Sequence, residues 1–197
     1  MMLQALTSLP PSALPIAAFR DHLRLGTGFA DDTLQDDLLE ACLRAALTAI
    51  EARTDKALLM RDFTWSTAAW RDLGAQALPI APVSAIAALR IIDRLGGVSV
   101  IDPARYRLVP DTHRPRLSAT SLVLPAIPVA GRAEVDFTAG FGAWADLPAD
   151  LARAVLLLAA QYYETRTPEA GGTQMPFGVA DLIARHRNVR LFGGLGR

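Results

Sequence analysis

The segment Leu147–Arg166 places the strongest constraint on how this chain can fold. It reads LPADLARAVLLLAAQYYETR, and every residue from Ala154 to Ala160 is apolar. Apolar or aromatic side chains recur at helical spacing along one face, at Leu151, Val155, Leu158 and Tyr162. The apolar run is far shorter than the roughly 20 residues that a membrane-spanning helix needs. The segment therefore predicts a core helix, covered on most sides, against which the rest of the chain packs.

The overall composition limits the partners and the compartment that we expect. The chain has 197 residues, 51% of them hydrophobic, with a formal net charge of zero. Zero net charge argues against long-range attraction to nucleic acid or to an anionic membrane. Cys42 is the single cysteine, which excludes an internal disulfide and favours the cytosol. The apolar N-terminus lacks a basic start and is interrupted by prolines, so we expect no signal peptide.

A second long helix is predicted over Asp31–Arg53. Asp32 and Gln35 have the spacing of a capping box. Its apolar residues form two stripes, which predict contacts with the core on one side and with a neighbouring subunit on the other. The first stripe contains Leu34, Leu38, Cys42, Ala45 and Ala49. The second, which we assign to the subunit interface, contains Leu39, Leu43, Leu47 and Ile50.

The middle of the chain, Phe63–Thr138, predicts a small, mostly antiparallel β region. Its alternating segments predict strands at 63–67, 89–93, 98–101, 106–109, 122–124 and 133–138. Short helices are expected before and after the long ones, from Ser12 and from Pro176. We therefore predict an α+β fold that is mainly α, with a helical bundle body, an inserted β region and an extended C-terminal tail. Residues 1–186 form one domain, with the body at 12–60 and 144–186, the insertion at 61–143 and the tail at 187–197.

No arrangement typical of catalysis or of cofactor binding occurs in the sequence. The three histidines have no metal-ligand spacing, and Cys42 has no CxxC partner, so it is expected to be a buried, inert thiol. There is no nucleophile elbow and no phosphate-binding loop. We predict no catalytic, cofactor-binding or metal-binding residue, and no enzymatic activity.

Three clusters have both a functional and a structural interpretation. The acidic cluster near Asp36 could bind a cation or hold a catalytic pair, but a capped, solvated helix start is the interpretation that we favour. The three tryptophans could stack nucleic-acid bases, but without interleaved basic residues they are more typical of a core. The tail Arg187–Arg197 has no acidic residue and carries apolar residues as well as arginines. It is either a solvated tail or a segment that docks on a partner, and we favour docking.

The order of several segments resembles the head–tail connector (adaptor) proteins of long-tailed phages and of phage-derived gene transfer agents. The resemblance covers about Leu14–Arg187, and its most specific part is FTAGFG followed by the Leu147–Arg166 helix. The segments are IAAFRDHLRL, DDTLQDDLLEACLRAALTAIEARTDKALL, LPIAPVSAI, DPARYRL, VDFTAGFG, LPADLARAVLLLAAQYYETR and MPFGVADLIARHR.

The resemblance implies a non-enzymatic virion protein at the head–tail junction, assembled in the bacterial cytoplasm. It implies a homo-oligomeric ring, usually of twelve subunits, between the portal protein and the stopper or tail completion protein. Double-stranded DNA passes through the ring without sequence specificity, and no membrane or cofactor is involved. In such families the C-terminal segment reaches into the portal. Here the portal-docking residues would be Arg187, Val189, Arg190, Leu191, Phe192 and Arg197.

Two other functions stay open at this point. The chain could be a DNA-binding assembly factor that uses Arg185–Arg197, in which case its affinity for DNA would depend steeply on salt. It could also be a small-molecule enzyme that uses the acidic residues at 31–40, in which case those residues would line a concave pocket.

Overall fold

The protein combines four helices with two antiparallel sheets in the residues that its computed structural model describes, 1–25, 32–165 and 175–188. The helices are α1 Ile16–Leu23, α2 Asp32–Thr54, α3 Ala149–Glu164 and α4 Phe177–Ala184. The strands are β1 Met2–Ala5, β2 Arg61–Thr67, β3 Ala75–Ala77, β4 Val83–Ile92, β5 Val98–Val100, β6 Tyr106–Val109, β7 Arg116–Ala119 and β8 Arg132–Ala139.

The prediction of a mainly α bundle with a small inserted β region is wrong. The protein is 36% helical and 26% strand by residue, so the β part is a major component of an α+β fold. The larger sheet has five strands in the order β1-β2-β8-β4-β5, and the smaller has three in the order β3-β7-β6. The sequence pattern underestimated the β part because several strands have only three or four residues, too few to establish an alternation.

The two sheets share one hydrophobic core. In the larger sheet, Phe63 lies opposite Phe137 and Trp65 lies opposite Val135. The two phenyl rings stack with centroids 5.8 Å apart. These side chains belong to the same buried cluster as Leu117 of the smaller sheet. The other face of the larger sheet carries partly exposed polar residues, as expected for a sheet covered on one side.

The helices build a second core that shares no buried residue with the first. Phe19 from α1, Leu151 and Val155 from α3, and Ile183 from α4 are almost fully buried in it. The predicted face of the Leu147–Arg166 helix is thus confirmed at Leu151, Val155 and Leu158, whereas Tyr162 is 38% exposed. No helix in the described ranges has the length and apolar content required to cross a membrane.

Short segments, held by an ion pair and by backbone hydrogen bonds, join the helical part to the sheets. The Arg61 guanidinium pairs with the Glu51 carboxylate through two bonds of 2.9 and 2.6 Å, which ties the end of α2 to the start of β2. The Met60 N–H donates to the Gly142 carbonyl at 2.9 Å. Gly140, with a φ of +131°, lies so close to the Met60 backbone that a Cβ there would be 2.5 Å from its Cα. Gly140 and Gly142 therefore fit the end of the β region closely against the segment that follows α2.

The structure adds a strand at the N-terminus and corrects one local prediction in the β region. The N-terminal residues form β1, which pairs with β2 some sixty residues later in the chain. A long-range partner of this kind leaves no signal in a four-residue segment. Leu122–Leu124 is not a strand, although Leu124 is buried.

Candidate interaction surfaces

The last helix is fixed to the helical core where the C-terminal tail leaves it. Asp150 lies in the first turn of α3, and its Oδ2 lies 2.7 Å from His186 Nε2 and 2.6 Å from Arg185 Nε. His186 is buried, whereas the Arg185 side chain is 71% exposed. Together with buried Val179 and Ile183, this carboxylate fixes the point at which the tail begins.

The same contacts control the charge of Asp150. Burial alone raises the pKa of its carboxyl group. Hydrogen bonds from His186 and Arg185, charge attraction from His186 and a further hydrogen bond from the Leu151 N–H together outweigh burial. The pKa therefore lies below its ordinary value, and the group is a carboxylate at neutral pH.

Most of the predicted portal-docking residues lie outside the described residues. Arg187 follows the Asp150 contact and is exposed. Val189, Arg190, Leu191, Phe192 and Arg197 lie beyond residue 188. The docking assignment for these residues stays a prediction.

The α2 stripe that we assigned to a subunit interface faces the chain's own core. Leu39, Leu43 and Ile50 have no exposed surface, and Leu47 is 3% exposed. They pack in the same cluster as Leu151 of α3. In the single chain these four residues are already covered, so a neighbour would have to bind other residues of the surface.

Other apolar residues are exposed, and the sequence analysis did not single them out. One group lies on the β5 hairpin, where Leu95 is 85% and Val100 71% exposed. A second group lies at the other edge of the same sheet, where Met2 is 63% exposed. A third group, in the loops beside β3 and before β8, contains Leu73, Leu122, Val123 and Val129. The sequence showed these residues as apolar but could not show which face they occupy.

A concave groove of about 640 Å³ lies between the N-terminal segment and the loop before α3. It is lined by residues 7–10, 12–15, 59–61 and 142–145. Arg61 is the ionisable side chain among these residues, and it is already paired with Glu51. The acidic residues of the enzyme alternative do not line the groove.

Two residues of the acidic cluster at the start of α2 form ion pairs. Asp36 lies 2.5 Å from Arg20, and Glu40 lies 2.7 Å from Arg44. Asp31 and the side chain of Asp32 lie outside the described residues. Within the described ranges, no three His, Cys, Asp or Glu residues are grouped as a metal site would require.

The tryptophans and Cys42 occupy separate environments. Trp65 is buried between the sheets, the Trp70 indole donates to the Pro125 carbonyl at 2.8 Å, and Trp144 lines the groove. They form no common platform for bases. Cys42 is buried in the helical core, and burial raises the pKa of its thiol, which makes the reactive thiolate rarer.

Lys56 is a structural residue that the sequence analysis missed. Its side chain has no exposed surface, and its Nζ donates to the Thr112 carbonyl and lies 3.4 Å from His113 Nδ1. Burial lowers the pKa of this amine, while the charges of Asp111 and Asp55 oppose that effect. Lys56 therefore holds the β6–β7 connection against the segment that follows α2. Its only signal in the sequence is that it is the single lysine among many arginines.

Three solved structures are similar to this chain over nearly its whole length. A chain in the neck of an empty gene transfer agent particle, computed with C6 symmetry, is 56% identical with a TM-score of 0.90. A chain in the virion of a native gene transfer agent particle is 55% identical with a TM-score of 0.86. A chain in the neck of a native particle, computed with C12 symmetry, is 51% identical with a TM-score of 0.84.

In each case the match covers 98% of this chain and 99% of the other. No protein-family model matches this chain, and a search of curated proteins finds no match.

Proposed function

Because this chain belongs to the head–tail connector (adaptor) family of gene transfer agent necks, we propose that it forms a ring that joins the portal to the tail. The observation that carries the proposal is its similarity, over 98% of its length, to chains of gene transfer agent necks. The protein is a structural component of the particle neck, and the finer assignments below extend that role.

The proposed ring has twelve copies. Similar necks were computed with C6 and with C12 symmetry, and a ring of twelve is compatible with both. Closed cyclic symmetry requires two different surfaces on each copy, one for each neighbour. The exposed apolar residues at the two edges of the larger sheet provide such surfaces.

The C-terminal tail docks on the portal in this proposal. Asp150 fixes the end of α4, so the tail starts from a defined point on each copy. Beyond that point the chain carries Val189, Leu191 and Phe192, whose burial on a partner is favourable. The arginines of the tail add charge that complements an acidic partner surface.

The ring also contacts the stopper or tail completion protein and surrounds the DNA path. A conduit needs weak contact with phosphates, because each arginine–phosphate contact adds salt-dependent affinity that slows sliding. The formal net charge of zero is suited to such a conduit. The groove contains no acidic cluster and no free ionisable pair among its lining residues, which favours a structural role over the enzyme alternative.

Removal of residues 187–197 tests the docking role of the tail. We expect the truncated chain to keep the circular dichroism and thermal unfolding of the full chain, because both cores end before residue 187. We expect the truncated chain to be missing from purified particles. We also expect the truncation to abolish DNA transfer.

Two tail variants separate the apolar from the charged contribution. Replacing Val189, Leu191 and Phe192 by serine should prevent incorporation, whereas replacing Arg187, Arg190 and Arg197 by glutamine should weaken it less. If the truncated protein still entered particles that transfer DNA, the docking role of the tail would be wrong.

A further inference from the structure

Among the described residues, the larger sheet ends in two strands that have no partner on their outer side. β1 and β5 are the outermost strands, with four and three residues. Natural sheets usually protect such edges by keeping the strands short or by placing charged residues or proline there. These two edges are short, but their sequences, MLQA and VSV, contain neither charged residues nor proline. Every residue of both strands is exposed.

The backbone groups of the β5 edge can be assigned from its pairing with β4. The Asp93 N–H donates to the Gly97 carbonyl, and the Ile101 N–H donates to the Leu89 carbonyl. Backbone groups alternate in direction along a strand, so Gly97, Ser99 and Ile101 point to β4. Val98 and Val100 therefore direct their N–H and C=O groups outward.

The β1 edge has the complementary arrangement. The Leu6 N–H donates to the Asp62 carbonyl, so Leu6, Gln4 and Met2 point to β2. Leu3 and Ala5 direct their backbone groups outward. Each edge thus presents two residues with free donors and acceptors, separated by one residue that is used inside the sheet.

We propose that β1 of one copy pairs in parallel with β5 of the next copy and so connects the sheets around the ring. This inference rests on the ring proposed above. Strands in the sheet are all antiparallel to their neighbours, so β1 and β5, four places apart, run in the same sense. Copies related by a small rotation about a ring axis retain that sense, which gives a parallel pair.

The hydrogen bonds fix the register of the proposed pair. Leu3 lies opposite Ser99 of the next copy, so the Leu3 N–H donates to the Val98 carbonyl and the Val100 N–H donates to the Leu3 carbonyl. The Ala5 N–H then donates to the Val100 carbonyl. This is the slanted pattern of parallel strands.

Side chains occupy consistent faces in this register. Met2 lies opposite Ser66 in β2, and Val100 lies opposite Arg90 in β4, both on the polar face of the sheet. Parallel pairing sets Met2 beside Val98, again on that face. It also brings Leu95, 85% exposed, toward Met1, 78% exposed. The apolar surface of both edges is covered by the same contact.

A disulfide between the two edges tests the pairing in assembled particles. The full chain carries Met2→Cys and Val98→Cys in a Cys42→Ala background, and purified particles are oxidised mildly. Adjacent residues on paired strands have Cα atoms close enough for a disulfide. We expect a ladder of covalent multimers that reaches the size of the ring on a non-reducing gel.

A matched pair of exposed residues provides the control. Met2→Cys combined with Leu122→Cys should give no ladder, because Leu122 lies in a loop outside the larger sheet. If a ring is visible in particles by electron microscopy but the Met2–Val98 pair gives no more cross-linking than the control, the strand pairing is overturned while the ring stands. If no ring is present in wild-type particles, the proposed function itself fails.

A second pair of variants tests the backbone bond directly. Val100→Pro removes an N–H that is unused within the chain, and proline is tolerated where the N–H of an edge strand faces outward. Val100→Thr retains the N–H. We expect both variants to be folded by circular dichroism, with Val100→Thr incorporated into necks and Val100→Pro excluded. Incorporation of folded Val100→Pro at the wild-type level would contradict the pairing.

Discussion

Asp150 shows how one residue can fix the end of a helix. Its Oδ2 accepts hydrogen bonds from His186 and Arg185, which lie at the end of α4 where the tail begins. The carboxylate is mostly buried, so its partners replace water that it has lost. A change at this one position therefore affects both stability and the start of the tail.

Asp150→Asn should destabilise the protein by about 1–3 kcal/mol at neutral pH, because hydrogen bonds to a buried charge are lost. The measurement is the free energy of unfolding in urea, compared with Arg185→Gln. Since the Arg185 side chain is 71% exposed, that control should change stability by less than about 0.5 kcal/mol. Equal effects of the two variants would contradict a central role for the buried carboxylate.

The same interaction gives a pH dependence with a defined sign. The pKa of Asp150 is lower in the folded chain than in the unfolded chain. Its stabilisation is thus complete above the ordinary aspartate value of about 3.9 and is lost as the pH falls through the folded pKa. The stability difference between wild type and Asp150→Asn should therefore shrink at acidic pH. A constant difference from pH 7 to pH 3 would show that charge is not the cause.

At the scale of elements, glycine has opposite roles at two positions. Gly140 connects β8 to the helices with a φ of +131°, and a Cβ there would meet the Met60 backbone at 2.5 Å. Gly178 lies in α4, and a Cβ there would meet nothing within 4 Å. The same substitution should therefore have opposite effects at the two positions.

Gly140→Ala should lower the free energy of unfolding by more than about 2 kcal/mol, because it combines a strained φ with a backbone clash. Gly178→Ala should raise it by up to about 1 kcal/mol through helix propensity. Denaturant unfolding of both variants tests this prediction. A loss of stability at Gly178 comparable to that at Gly140 would be inconsistent with it.

The helices were predictable from the sequence because their signals are local. The predicted Asp31–Arg53 helix and α2, Asp32–Thr54, agree to within one residue at each end. The sheet edges were not predictable, because β1 and β3 depend on partners far away in the chain. The interface stripe on α2 failed to identify a free surface for the same reason. Periodicity places Leu43 on an apolar face of the helix, but it does not show which neighbour covers that face.

At the scale of the molecule, several positive charges are balanced locally. Arg44, Arg61, Arg90 and Arg132 each pair with a carboxylate between 2.6 and 2.9 Å away. The formal net charge of the chain is zero. The paired arginines and the zero net charge favour weak binding to DNA, even though the proposed ring surrounds it.

The isolated protein should therefore bind duplex DNA with a Kd weaker than about 10⁻⁴ M at physiological salt, the weak end of non-specific binding. A fluorescence anisotropy titration at several salt concentrations measures this affinity. The control is a chain in which Glu134 and Asp136 are replaced by glutamine and asparagine, which should bind more tightly because their arginine partners are released. Tight binding by the wild type with a steep salt dependence would favour the DNA-binding assembly factor instead.

The separation of the two hydrophobic cores has a mechanical consequence. In the described part of the chain, the backbone passes between the sheets and the helices three times, after β1, after α2 and after β8. Tension applied to the tail beyond α4 reaches the sheets through these covalent routes and through contacts such as the Glu51–Arg61 pair and the Met60–Gly142 hydrogen bond, so no single route carries the whole force. In the proposed ring, a pull on tails docked to the portal would therefore strain the helical core first and leave the sheets in register.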